Sequence, residues 1–189
     1  MITFRKCAVL TLVAISFAST PPVLATTLKR MSLPDLSRAA HTIVRARCLA
    51  NSIRWDVGEI WTLTTFDVEE VWKGSAPAQI TVRLLGGKSG NLTSTVSGVP
   101  RFSPGEELVL FLERTPAQDF SIVSWVQGTF RIGRNPATGE EIVTQDTAAF
   151  AVFDPASQRY EATGVRKMPV GAFHSLVVAS PQAAQGSRQ

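Results

Sequence analysis

The chain is poor in the residues that carry most chemistry: among its 189 residues are two cysteines, two histidines and one tyrosine. A structural zinc site needs three or four converging His, Cys or carboxylate ligands. His41 and His174 lie far apart and neither has a second ligand at helical or hairpin spacing. Both read as surface or packing residues, so no metal and no cofactor is expected. No Gly-x-Ser-x-Gly elbow is present, and a Ser-His-acid triad would have to be assembled in space. Gly86-Gly87-Lys88-Ser89 resembles the end of a phosphate loop, but Val82 stands where the first glycine belongs and Asn91-Leu92-Thr93 does not open a helix. It reads as a flexible glycine turn.

A hydrophobic run long enough to span a bilayer is also missing, since Cys7 to Ala18 falls well short of about 20 residues. Arg5 and Lys6 precede that run, Pro21 and Pro22 break it, and Val23-Leu24-Ala25 resembles a signal-peptidase site. Residues 1–25 are therefore expected to be a signal peptide cleaved after Ala25, rather than a retained anchor. The lack of a Leu-x-x-Cys context at Cys7 argues against a lipoprotein. The mature protein is expected in the periplasm or outside the cell, with no membrane span. Cleavage leaves Cys48 alone, so no intramolecular disulfide can form. Val44, Ala46 and Cys48 share one face by the two-residue period, and Cys48 reads as a small buried hydrophobe. A reactive thiol or intermolecular disulfide is the alternative.

Charge of either sign in blocks is absent too. The leader carries two of the 19 basic residues and none of the 15 acidic ones, so the formal charge falls from +4 to +2. Arg45, Arg47, Arg54, Arg83, Arg101, Arg131 and Arg134 are scattered rather than striped, which argues against nucleic acid as a partner. They read as solvated strand faces and turns. Glu69-Glu70 and Glu106-Glu107 evoke a carboxylate pair for glycoside hydrolysis. Strand neighbours point to opposite faces, however, and the pairs read as bulge and turn residues.

What the sequence does have is strands. A short helix, Ser32 to Ala40, is predicted with Ser32 as N-cap and Pro34 in its first turn. A strand at His41 to Ala50 follows, then a polar link at Asn51-Ser52 and a turn or edge segment, Arg54 to Gly58, carrying Trp55. The second strand runs from near Ile60 to Lys73-Gly74. Phe66 and Val68 keep a period of two but Val71 comes three later, which predicts a β-bulge at Glu69-Glu70. Ile80, Val82 and Leu84 form a third strand, and Leu92 to Val96 a short one. Leu108 to Leu112 is apolar on both faces, so one face fills an interior and the other needs a cover. Candidates for that cover are the N-terminal helix and the segment Val170 to Val178, with Phe173, Leu176 and Val177 at helical spacing. Turns at Asn135 to Gly139 and Asp154-Pro155 predict a C-terminal meander, Phe130-Ile132, Ile142-Val143, Phe150-Val152 and Tyr160-Ala162. Residues 26–180 are read as one domain, and 181–189 as a tail unable to order itself.

The succession Phe66-x-Val68-x-x-Val71-x-Lys73-Gly74, Ile80-Thr81-Val82, Gly86-Gly87 and Gly98-Val99-Pro100-x-Phe102-x-x-Gly105-Glu106-Glu107-x-Val109-x-Phe111-Leu112 resembles a family of largely uncharacterised exported bacterial proteins. Their barrel is similar to the OB-like fold of netrin and tissue-inhibitor-of-metalloproteinase modules. The resemblance implies a mainly β fold: a small OB-like antiparallel barrel, here with a short N-terminal helix, a C-terminal β-meander and a C-terminal helix. It implies no activity. The inhibitor modules reach zinc through an N-terminal Cys-x-Cys, and a chain starting at Thr26 lacks it.

The binding hint is aromatic. Trp55 and Trp61 flank the connection between the first two long strands with Arg54 beside them, in a place where OB-like barrels often line a ligand face. Arg54, Trp55, Trp61 and Arg101 are the candidate site residues; the plainer reading is that both rings cap a barrel end. The expected function is a non-enzymatic binding module for a protein or envelope ligand. The alternatives are a hydrolase whose triad is invisible in sequence, and an envelope scaffold or assembly protein.

Overall fold

The computed structural model describes residues 28–149 and 151–179. The leader with Cys7 and the Ala25 cleavage point, Phe150 and the tail from 181 lie outside the described residues.

The protein is mainly β, built as a small OB-like barrel flanked by two helices. Helix α1, Leu33–Ala39, starts as its sequence dictates: the Ser32 hydroxyl accepts the Asp35 N–H and proline occupies the first turn. Strands β1 (Thr42–Asp56), β2 (Glu59–Lys73), β3 (Gln79–Leu85), β7 (Phe120–Ile122) and β6 (Glu107–Arg114) pair in that order, and β6 returns to β1 to close the ring. Every pairing in the ring is antiparallel except β3 with β7, which meet in parallel at Val82 and Phe120. Between β3 and β6 the short hairpin β4 (Gly87–Ser89) and β5 (Leu92–Ser94) stands off as a separate flap. The meander β8 (Thr129–Arg134), β9 (Glu141–Gln145) and β12 (Met168–Pro169) extends the sheet beyond β6, β10 (Val152–Asp154) and β11 (Arg159–Glu161) form their own ribbon, and α2 covers Val170–Ala179.

Two cores explain the doubly apolar strand β6. Leu108, Leu110 and Leu112 fill the barrel with Val44, Ala46, Cys48, Phe66, Val82 and Ile122. Val109 and Phe111, on the other face, pack under Leu36 and Ala40 of the α1 end and Phe173 and Val177 of α2. The two helices are the cover that the pattern demanded. Phe111, Phe130 and Phe173 meet in tilted pairs with centroids 4.7 to 6.4 Å apart. Leu176 is half exposed: Phe173 and Val177, four residues apart, define the buried stripe and Leu176 falls to its side. The Lys73 ammonium donates to the Ser37 and Ala40 carbonyls, both at 2.6 Å, and so ties the C-terminal end of α1 to β2. Burial holds its pKa below the usual lysine value. Gly74 follows with φ 74°, where a Cβ would sit 2.5 Å from the His41 carbonyl oxygen, which explains the Lys-Gly pair.

The bulge lies where the period broke. Arg45 pairs with Glu70 and Ala46 with Val68, leaving Glu69 as the extra residue, and further register shifts follow at Trp72 and at Leu49. The bulge turns Glu69 and Glu70 toward the same arginine, so the opposite-face expectation fails there: Arg45 lies 3.2 Å from Glu69 and 3.9 Å from Glu70. Arg45 and Arg47 also reach Glu107, and Arg45 reaches Glu141. The arginines read as solvated are thus largely paired, including Arg83 with Asp56 and Arg131 with Glu106 and Asp146. Burial opposes the charge of Glu107, but hydrogen bonds from Arg45 and Arg47 outweigh it and hold the carboxyl below its ordinary value of 4.5. Cys48 is buried in the barrel and free; burial pushes its thiol pKa up, as an inert core cysteine requires.

The largest departure from the sequence reading is the length of β1. The expected link at Asn51-Ser52 and the turn from Arg54 are strand, paired residue for residue with β2 to Asp56 and Glu59. Val57 and Gly58, with φ 49° and 79°, make the two-residue turn. Polar residues suggested a loop because this half of the ribbon has no barrel to fill, not because pairing stops.

Candidate functional site

The β1–β2 ribbon runs past the barrel, and its pairing decides which side chains share a face. Arg54 pairs with Trp61 and Trp55 with Ile60. Directly paired residues lie on one face and successive residues on opposite faces. The two tryptophans therefore do not form a pair. Arg54 and Trp61 occupy the outer face, where the Arg83 guanidinium covers the Trp61 ring at 4.0 Å. Trp55 looks to the inner face, continuous with the barrel interior, together with Asn51, Ile53, Ile60, Thr62 and Thr64.

The flap folds over that inner face through two glycines. The expected flexible turn at Gly86-Gly87 is instead packed: both are buried, with φ 88° and 150°. A Cβ on Gly87 would lie 2.7 Å from the Thr62 hydroxyl and 2.9 Å from Ile53, so only glycine lets the flap descend this far. The Trp55 indole N–H donates to the Ser89 hydroxyl at 2.9 Å and joins the ribbon tip to the flap.

Arg101 enters from the loop between β5 and β6, held between two anchors. Val99 and Phe102 are buried in the barrel core, Phe102 edge-on to Phe66 at 5.2 Å. Arg131 donates to the Arg101 carbonyl at 2.8 Å, and Asn51 to that of Phe102 at 2.8 Å. From this fixed backbone the Arg101 side chain reaches the Thr62 hydroxyl and the Ser94 carbonyl, each at 3.2 Å. Between flap and ribbon opens a cleft of 360 Å³, lined by Ile53, Thr62, Thr64, Lys88, Thr93 and Arg101 among others. A second cleft of 320 Å³ lies toward the tip, with Trp55, Ile60, Leu85, Leu92 and Val96; Thr93 and Ser94 line both. Volumes of this order suit small ligand groups.

Trp55 and Arg101 thus come together at one end of the barrel, whereas Arg54 and Trp61 face away. Sequence reasoning missed Ile53 and Lys88. The alternation Asn51-Ile53-Trp55 across the Val57-Gly58 turn was the available signal for the first; nothing local marks Lys88.

Edge and exposure single out this end further. In a two-residue hairpin Asp56 and Glu59 exchange both hydrogen bonds, so the backbone groups of Trp55, Ile53 and Asn51 point away from β2. Lower down, that side of β1 is taken: Cys48 donates to Glu106 and accepts from Gly105, each at 2.8 Å. Above the Leu49 shift no backbone partner is present among the described residues. Ile53 is 42%, Trp55 51%, Val57 96% and Leu92 58% exposed. Val57 is also β-branched in the left-handed region, a strained choice at an exposed tip.

Elsewhere the structure holds less. A cleft of 680 Å³ is bounded by Leu28 to Met31 and α1, but its Asp35 and Arg38 engage each other at 2.9 Å. His41 is exposed at the start of β1, and the exposed His174 ring sits edge-on to Trp72 at 4.7 Å. Neither ring has a hydroxyl or carboxylate partner among the described residues, the contact a hydrolytic triad would need. No helix among the described residues is long and apolar enough to cross a membrane. No protein-family model matches the chain, and comparison with curated proteins returns no match.

Proposed function

We propose that the protein is an exported, non-enzymatic binding module of the periplasm or extracellular space, in the manner of the OB-like exported family it resembles, and that it meets its protein or envelope ligand at the ribbon and flap end of the barrel. One observation carries this reading: apolar side chains, an unpaired strand edge and two clefts coincide there. Four of the described residues' exposed large hydrophobics, Ile53, Trp55, Val57 and Leu92, gather at that end. Exposed apolar clusters of this kind mark interaction sites. An open edge offers main-chain hydrogen bonds that natural proteins otherwise blunt. Trp55 is suited to act as the anchor, being large, half exposed and held by a single hydrogen bond to the flap.

The test is capture from the native envelope fraction by the tagged protein, compared with Trp55→Ala and with Val71→Ala, an exposed residue at the far end of β2. A ligand held by wild type and Val71→Ala but lost by Trp55→Ala is the expected result. Equal capture by all three would place the contact elsewhere.

A further inference from the structure

We infer that the cleft between flap and ribbon takes an oxyanion, a carboxylate or a phosphate, borne by a ligand with a small apolar body; this rests on the reading that the barrel end is the binding surface. The argument is a count of hydrogen-bonding capacity. The floor has spent its own. The Thr62 hydroxyl donates to the Gly86 carbonyl at 2.7 Å and accepts from Arg101. The Thr64 hydroxyl donates to the Asn51 side-chain oxygen at 2.6 Å, and the Asn51 amide donates to Phe102. What remains unspent is the flap hydroxyls of Thr93, Ser94 and Thr95, which can donate as well as accept, and two cations. Arg101 has five N–H donors and uses them only on a hydroxyl and a carbonyl, and the Lys88 ammonium is exposed at the rim.

Among the described residues no aspartate or glutamate lines this cleft. Arg30, Arg38, Arg45, Arg47, Arg83, Arg131 and Arg134 each have a carboxylate within ion-pair distance. Arg101 has none among the described residues and reaches only neutral acceptors; Arg54, Arg114, Arg159 and Arg166 lack one too, but of these five only Arg101 lines this cleft. Gly86 contributes by omission, since a Cβ there would meet the Arg101 guanidinium at 2.9 Å. A site whose free charges are both positive and whose free hydroxyls can donate selects an acceptor-rich partner, and the planar guanidinium fork matches an oxyanion. Ile53 beside it gives an apolar body somewhere to rest.

The experiment is an NMR titration of the purified protein with benzoate, phenyl phosphate and benzyl alcohol, which share a ring and differ in charge. At least one of the two oxyanions should shift the amides of Gly87, Lys88 and Arg101 with a dissociation constant no weaker than about 10 mM. Benzyl alcohol should bind about tenfold or more weakly, and raising salt from about 0.05 to 0.5 M should weaken the anion. Benzoate ahead of phenyl phosphate assigns a carboxylate, the reverse a phosphate. Arg101→Gln should lose about tenfold and Lys88→Gln, at an exposed side chain that folding does not need, about threefold.

Benzyl alcohol binding as well as the anions, both variants binding like wild type, or no binding of either anion overturns the assignment. The two readings fail separately. If neither anion binds while Trp55→Ala still abolishes capture, the oxyanion site is wrong and the binding surface stands. If the anions bind at Arg101 while Trp55→Ala captures normally, the site stands and the anchor is wrong.

Discussion

The two halves of the β1–β2 ribbon share one ladder and differ in almost everything else. In the near half, Val44, Ala46 and Cys48 fill the interior of a closed barrel together with Phe66, the ladder partner of Cys48, while β6 pairs with the other edge of β1. In the far half, Asn51, Ile53 and Trp55 have β2 on one side and an open edge on the other, with a small flap as their roof. Backbone pairing by itself therefore says little about what a strand contributes. Cover decides it: the buried half supplies stability, and the uncovered half leaves side chains and main-chain groups open to solvent, where the proposed ligand would meet them.

That contrast is broken most forcefully by removing the cover's anchor. Phe111→Ala opens a cavity where β6 meets both helices, and about 3–5 kcal/mol should be lost in urea denaturation. At the junction of the halves, Thr64→Val leaves the Asn51 side-chain oxygen without its donor and should cost about 1–2 kcal/mol.

The near half should also respond to acid. Glu107 is held below its ordinary 4.5 in the folded protein, so the stability it adds is complete above that value and is lost as pH falls through the depressed one. Melting temperatures between about pH 2.5 and 6 should fall at the acid end, and Glu107→Gln should flatten that fall. At the tip the sign reverses: Val57→Asn relieves a β-branched residue in the left-handed region and should stabilise by up to about 1 kcal/mol. The smallest change expected is for Trp55→Ala, within about 0.5 kcal/mol in the same denaturation assay despite the size of the side chain removed.

Legibility followed the same division. The barrel strands, the Glu69 bulge, the N-cap at Ser32 and the need to cover both faces of Leu108 to Leu112 were all readable, because burial imposes a period on the side chains that line it. Where burial ends, the period ends. Asn51 to Asp56 looked like a loop, and Trp55 and Trp61 looked like neighbours because they flank one connection; the register places them back to back. Arg101 was identifiable as a candidate, but what sets it apart is its surroundings: Arg83 and Arg131 meet carboxylates, whereas Arg101 lines the cleft with a hydroxyl and a carbonyl as its partners. Lys88 reaches the cleft only because two glycines fold the flap over the ribbon, and that approach is set by Thr62 and Ile53, more than twenty residues earlier.

The central claim, that the far half of the ladder is kept uncovered for a ligand, is tested most directly by amide hydrogen exchange. In the free protein the amides of Asn51, Ile53 and Trp55 should exchange about a hundredfold or more faster than that of Cys48, which donates to Glu106, and they should slow when the captured envelope ligand is added. Protection of all four amides in the free protein, or no slowing in the presence of that ligand, would contradict it.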